Sequence, residues 1–234
     1  MSPLIRRRGT WLALLITIGA LAYVLGWSQI FRVTGISIDG IQPQATDLIT
    51  SQIKRESLIE IGEPLARVDG RVVKRALLKN QWIGNVRVNR HWISGEIHIF
   101  VDQKNAIARI NSMSGFAYLT DQGAIANFPE ELKISVPTVS GNFQDNANAE
   151  RAKELLGELT GALESRLTVK SLSIGSPTSF STVATVGEQQ LTIRWGSVSE
   201  IPLKIKVLQG LLELPENSKL RLIDLSAPLT PIVK

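Results

Sequence analysis

The chain has 234 residues, no cysteine, and a formal charge of +5 from 26 basic and 21 acidic residues. Without cysteine it has no disulfide, thiolate metal site or cysteine nucleophile. Setting aside Arg6, Arg7 and Arg8 leaves 23 basic against 21 acidic residues, so the high isoelectric point owes much to one tail and does not argue for a nucleic-acid partner.

Behind those arginines, Gly9 to Phe31 is an uncharged run of 23 residues. A helix rises about 1.5 Å per residue, so about 20 apolar residues cross a hydrocarbon core. The run is long enough to span. Its membrane-spanning residues are read as Trp11, Leu12, Leu14, Leu15, Ile16, Ile18, Leu21, Val24 and Leu25. The arginines predict a cytoplasmic N-terminus, with everything from Arg32 to Lys234 on the far side. Ala20-Leu21-Ala22 has the form of a signal cleavage site, but the apolar run continues through Val24, Leu25 and Trp27, and a retained anchor is the reading taken. The Arg6-Arg7 pair is ordinary beside an anchor and carries little weight as a twin-arginine signal.

Phe31 to Asp39 alternates and predicts a strand that ends at the Asp39-Gly40 turn. Thr46 to Ile59 predicts a helix capped by Thr46. Gly62-Glu63-Pro64 breaks it, and Asp69 caps a second helix. There Val72, Val73, Ala76, Leu77 and Leu78 form an apolar face opposite Arg71, Lys74, Arg75 and Lys79. Val86, Val88 and Trp92 mark a strand. After a turn at Ser94-Gly95, Ile97, Ile99 and Val101 mark its return. The order β-α-α-β-β over 32–103 fits a small sheet with both helices on one face.

Residues 104–234 read as a second, mostly antiparallel β domain with flanking helices. Short strands are predicted over 106–110, 117–120 and 124–128, with a turn at Asp121-Gln122-Gly123, and 136–141 is extended. A helix over 148–166 turns Ala152, Leu155, Leu156, Leu159 and Leu163 to one face. Strands over 169–174, 181–186 and 191–195 follow. A helix over 202–214 has Leu203, Val207, Leu211 and Leu212 as its apolar face. A last strand contains Leu220, Leu222 and Leu225, before a tail with Pro228 and Pro231. The fold class is α+β: a transmembrane helix at 9–31 behind a cytoplasmic tail at 1–8, then these two domains.

Several stretches in this order resemble the FtsQ/DivIB family of bacterial cell-division proteins. Phe31-Arg32-Val33 with Ile36-Ser37-Ile38-Asp39-Gly40 is similar to the family's start of a POTRA domain. Gly62 to Asp69 resembles its G-x-x-L-x-x-V-D link. Trp82 to Trp92 resembles W-V-x-x-A-x-V-x-R-x-W-P, and Val101 to Ala108 resembles V-x-E-R-x-P-x-A. Tyr118-Leu119-Thr120-Asp121-Gln122-Gly123 resembles Y-L-V-D-x-x-G. Leu222-Ile223-Asp224-Leu225 before Pro231-Ile232-Val233 resembles the closing I-D-L…P-x-V. Ile93, Gln103 and Asn105 depart from the pattern, the first and last by lacking a proline, which alters local turn geometry.

The chemistry-bearing residues are sparse. His91 and His98 are the only histidines. They would face each other across the hairpin, without further ligands or a nucleophile to make a metal or general-base site. Asp121 fits turn chemistry better than a lone catalytic acid. The basic helix face at Arg71, Lys74, Arg75 and Lys79 is read as solvated, with anionic lipid as its alternative. Trp82 and Trp92 are read as packing residues.

The resemblance implies a non-catalytic, single-pass scaffold of the inner membrane, found at the division septum, with no cofactor, metal, nucleic acid or small-molecule substrate. It implies membrane partners of the FtsB/DivIC and FtsL type, received near the last strand at Leu220, Arg221, Leu222, Ile223, Asp224 and Leu225. A strand there would serve if it lay at a sheet edge, where unpaired backbone groups template an added strand; otherwise it closes the domain under its own tail. Two alternatives are an export or outer-membrane assembly chaperone, which predicts several POTRA copies or a barrel, and an envelope hydrolase, which predicts a nucleophile–base cluster.

Overall fold

A computed structural model of the protein describes residues 11–20, 23, 31–41, 47–112, 115–132, 134–143, 146–163, 165–176 and 179–234. The chain divides into two compact units, 1–103 and 104–234.

In the first unit, residues 11–20 form a helix, α1. Trp11, Leu12, Leu14, Leu15, Ile16 and Ile18 are all exposed. Among the described residues no helix is long and apolar enough to cross a membrane. Leu21, Val24 and Leu25 of the expected span, and the expected cap Thr46, lie outside the described residues.

The rest of this unit is β1 (Gly35–Asp39), α2 (Asp47–Glu56), α3 (Gly70–Leu77), β2 (Ile83–His91) and β3 (Glu96–Gln103), with a 3-10 turn at Leu65–Arg67. β3 is central, parallel to β1 and antiparallel to β2. Ile97, Ile99 and Val101 are fully buried on one face of it, as the alternation predicts. Each contributes about 1.5–3 kcal/mol of burial. Asp69 caps α3 as expected, its Oδ1 accepting from the Arg71 amide at 2.8 Å. The apolar face of α3 is narrower than predicted: Val73 and Leu77 are buried, whereas Val72 and Leu78 are exposed. An eight-residue helix laid on a three-stranded sheet can bury only the stripe that meets it. Trp82 is buried as a packing residue, but Trp92 sits in the hairpin turn and is exposed.

The second unit is one nine-stranded sheet in the order β12-β11-β10-β9-β8-β7-β4-β5-β6. Its strands are β4 (Ala106–Ser112), β5 (Gly115–Thr120), β6 (Ile125–Asn127), β7 (Thr138–Gly141), β8 (Thr168–Ser176), β9 (Ser179–Val186), β10 (Gln189–Gly196), β11 (Leu222–Asp224) and β12 (Ile232–Val233). The pairs β4–β7, β7–β8 and β10–β11 are parallel, and the other pairings are antiparallel. Two helices, α4 (Asn146–Leu163) and α5 (Ile201–Glu213), cover it. α4 buries Ala152, Leu155, Leu156, Leu159 and Leu163, the face expected of it.

α5 is rotated from expectation. It buries Ile201, Lys204, Ile205 and Leu208, while Leu203, Val207, Leu211 and Leu212 are only partly buried. A lysine in the middle of the buried stripe hides the true period from a hydrophobicity reading. It is tolerated because its ammonium is satisfied: Nζ donates to the carbonyls of Trp195 at 2.7 Å and Ser197 at 2.8 Å.

Candidate functional site: the C-terminal sheet edge

The residues expected to receive a partner, Leu220 to Leu225, do not form an edge. β11 lies between β10 and β12. Ile223 and Leu225 are fully buried, so both pack in the core of the second unit. Arg221 is exposed, and Leu220, Leu222 and Asp224 are half-buried. The edge is supplied by the tail itself, at Ile232 and Val233.

Backbone pairing fixes what this edge offers. Lys234 N donates to Leu222 O at 3.0 Å, and Leu222 N donates to Lys234 O at 3.0 Å. The two residues therefore form a hydrogen-bonded antiparallel pair. Hydrogen-bonded and non-hydrogen-bonded pairs alternate along such a ladder, and the register sets Val233 opposite Ile223. Val233 then directs its N–H and C=O away from β11, toward the open side. Ile223 directs its own toward β10, in phase with its neighbours: Arg221 O accepts from Thr192 N at 2.9 Å and Leu225 N donates to Arg194 O at 2.7 Å. The side chains of Ile232 and Val233 are both exposed.

Behind the edge, β10 carries an irregularity at Trp195, and Gly196 follows at φ +66°. A side chain at Gly196 would crowd Ser226, so glycine lets the β11 exit pass close to the bulge. Trp195 is fully buried and its Nε1 donates to Thr182 Oγ1 at 2.8 Å. Asp224 Oδ1 accepts from the Ser226 amide at 3.0 Å, and Arg194 lies at 4.0 Å. That backbone bond holds the Asp224 carboxyl below its ordinary range, against a smaller opposing effect of burial. Burial pulls the Lys204 ammonium below its ordinary value, partly offset by Glu200. Nothing in the sequence singles out Lys204, Trp195 or β12 as functional. The two β-branched residues after Pro231 are the signal for β12.

The other chemistry-bearing residues fall as follows. The rings of His91 and His98 do meet across the hairpin, with centroids 4.5 Å apart. His98 Nδ1 is 3.8 Å from Asp39 and its Nε2 is 3.6 Å from Glu96. Among the described residues no group of three or more His, Asp or Glu side chains is placed to hold a metal ion. Asp121 lies in a turn whose Gly123 has φ +79° and donates to Thr120 O at 2.9 Å. It also borders a groove of about 860 Å³ beside α4, floored by Ile107, Leu156 and Leu159. On the basic face of α3, Lys74 donates to Asn85 Oδ1 at 2.8 Å.

Residues 31–103 match the family model described as POTRA domain, FtsQ-type. The match covers the first unit's sheet with α2 and α3, and supports the FtsQ/DivIB resemblance there. No curated protein matches the chain.

Proposed function

We propose that this chain is a non-catalytic, membrane-anchored scaffold of bacterial cell division, of the FtsQ/DivIB type. The observation that carries the proposal is the FtsQ-type POTRA match over residues 31–103. An anchor is supported by the uncharged run behind Arg6, Arg7 and Arg8 and by α1, whose large apolar side chains face outward on all sides. A helix that is apolar all round needs an apolar surrounding, and a bilayer supplies one. The protein would be a type II, single-pass protein of the cell membrane, with residues 32–234 outside the cytoplasm and the protein gathered at the septum.

Its mechanism is co-localisation. Partners of the FtsB/DivIC and FtsL type share the membrane plane, which raises their effective concentration so that modest contacts suffice. One such contact is an added strand on β12. The outward N–H and C=O of Val233 would pair with the partner backbone, and Ile232 and Val233 would offer apolar side chains. The short edge limits indiscriminate pairing, leaving selectivity to neighbouring side chains such as Arg221. Two observations are consistent with the non-catalytic part of the reading: Asp121 lies in a turn, and Lys204 satisfies two carbonyls.

Depletion of the protein in its source bacterium, with a fluorescent fusion imaged in parallel, tests this function. Midcell signal and filamentation are expected. Normal division with envelope-assembly defects would favour the chaperone alternative instead.

A further inference from the structure

The β2–β3 hairpin of the first unit ends in an apolar tip. Ile93 is completely exposed, at 103%, and Trp92 beside it is 39% exposed. Burying an isoleucine is worth about 1.5–3 kcal/mol, so a fully exposed one at the apex of a turn points to something that covers it. Ile93 occupies a position where turn-forming polar residues would cost nothing.

The tip is fixed beside the end of the uncharged run. The ring of Phe31, the last residue of that run, meets Trp92 edge-on with centroids 6.0 Å apart. Thr34 N donates to Gly95 O at 2.8 Å, and Thr34 Oγ1 donates to Ser94 O at 2.8 Å. On the other side Leu65 N donates to Phe31 O at 3.0 Å. Residues 31–34 are therefore clamped between the tip and the 63–65 segment, and Phe31 cannot move independently of the hairpin. Four peptide units separate Phe31 from Trp27, a distance of at most about 14 Å for any chain path. The zone between hydrocarbon and water is about 5–8 Å thick on each side of a bilayer.

The tip also has the chemistry of that zone. Tryptophan favours the headgroup level because its ring is apolar and its N–H is polar. The Arg90 guanidinium lies 5.9 Å from the Trp92 ring centroid and donates through Nη1 to Leu65 O at 3.3 Å; Arg90 as a whole is exposed, so a positive charge stands beside the tip where lipid phosphate would lie. The charged neighbours of opposite sign are Glu96, held at 3.6 Å from His98, and Glu63 across the clamp.

We propose that Trp92 and Ile93, with Phe31, seat in the headgroup–acyl boundary of the membrane that holds the anchor, and so set the orientation of the first unit on that membrane. The proposal rests on the reading of residues 9–31 as a retained anchor. β2 has nine residues and rises about 3.3 Å per residue. The opposite end of the strand, next to Lys79 in the turn after α3, would then stand roughly 25–30 Å from the tip. That orientation keeps Lys79 off the lipid.

The test uses the full chain reconstituted in phosphatidylethanolamine–phosphatidylglycerol vesicles. The chain contains no cysteine, so Ile93→Cys and Lys79→Cys each give one labelling site. A dye at position 93 is expected to be quenched by nitroxide lipids and shielded from aqueous iodide, with the reverse pattern at position 79. Equal iodide access at both positions, with the chain still in the membrane pellet after an alkaline wash, overturns the proposal and leaves the anchor intact. Loss of the chain from the pellet overturns both readings. Lipid quenching at position 79 instead would lay the opposite end of the sheet on the bilayer and also overturns it. A second measurement leaves the tip unlabelled: energy transfer from a dye at Lys79→Cys to headgroup acceptors should rise when Trp92→Ala and Ile93→Asp release the unit. Unchanged transfer counts against the proposal.

Discussion

The Nζ of Lys204 donates to the carbonyl oxygen of Trp195 at 2.7 Å from within the core of the second unit. This bond, with its companion to Ser197 O, ties the first turn of α5 to the irregular end of β10. β10 is the strand on which β11 pairs, so the contact supports the C-terminal edge from behind.

Replacing Lys204 with Met keeps most of its volume but leaves two carbonyls without their donor. The cost should be about 1–3 kcal/mol, read as a lower urea midpoint for the second unit. The variant should also lose a pH dependence. Burial lowers the folded-state ammonium below its ordinary 10.5, so the folded chain releases this proton first. Between that depressed value and 10.5 the unfolded chain binds more protons, and stability rises with pH. The rise attributable to Lys204 should be present in the wild-type chain and absent from Lys204→Met; identical slopes would show that the lysine is not buried in solution.

Asp224 gives a rise of stability with pH as well, at the acid end of the scale. The amide of Ser226 favours its charged form and lowers its pKa below the ordinary 3.8. Its contribution is therefore present above 3.8 and lost as pH falls through the folded-state value. Asp224→Ala should remove about 1 kcal/mol near neutral pH and flatten stability in that acid window. The amide oxygen introduced by Asp224→Asn can still accept from Ser226 N, so that variant should recover part of the loss.

Ile223→Pro should unfold the second unit. Ile223 is fully buried and its backbone pairs toward β10, so proline there removes a ladder bond and forces a ring into the core, at about 3 kcal/mol or more. Circular dichroism should show loss of the second unit's cooperative transition while that of the first survives. A native-like second transition would contradict the register assigned to β11 and β12.

What is legible in the sequence is what simple periods encode. Ile97, Ile99 and Val101 alternate, Leu155 and Leu159 recur at helical spacing, and Asp69 precedes its helix as a cap; each sits where its pattern places it. The α5 face escapes such a reading because Lys204 counts as polar in any period, although carbonyl pairing makes it a core residue. The open edge of the sheet lies one strand beyond its expected place for a related reason. Pro228 and Pro231 mark the tail as irregular, and nothing local shows that Ile232-Val233 returns to pair with Ile223 and Asp224. Such pairing is a long-range choice made by the sheet. The Trp92-Ile93 tip is likewise hidden, since an aromatic beside an isoleucine reads as core until the turn is seen to carry both outward.

The most direct test of the central claim is copurification of the small coiled-coil division proteins from source-bacterium membranes with wild-type chain and with Val233→Pro. Proline at Val233 removes the outward N–H of β12 and spares the bonds between Lys234 and Leu222. Recovery of the partners should fall at least about tenfold, the equivalent of 1.4 kcal/mol, while the second unit's urea midpoint stays close to wild type. Undiminished recovery with Val233→Pro would contradict strand addition at this edge.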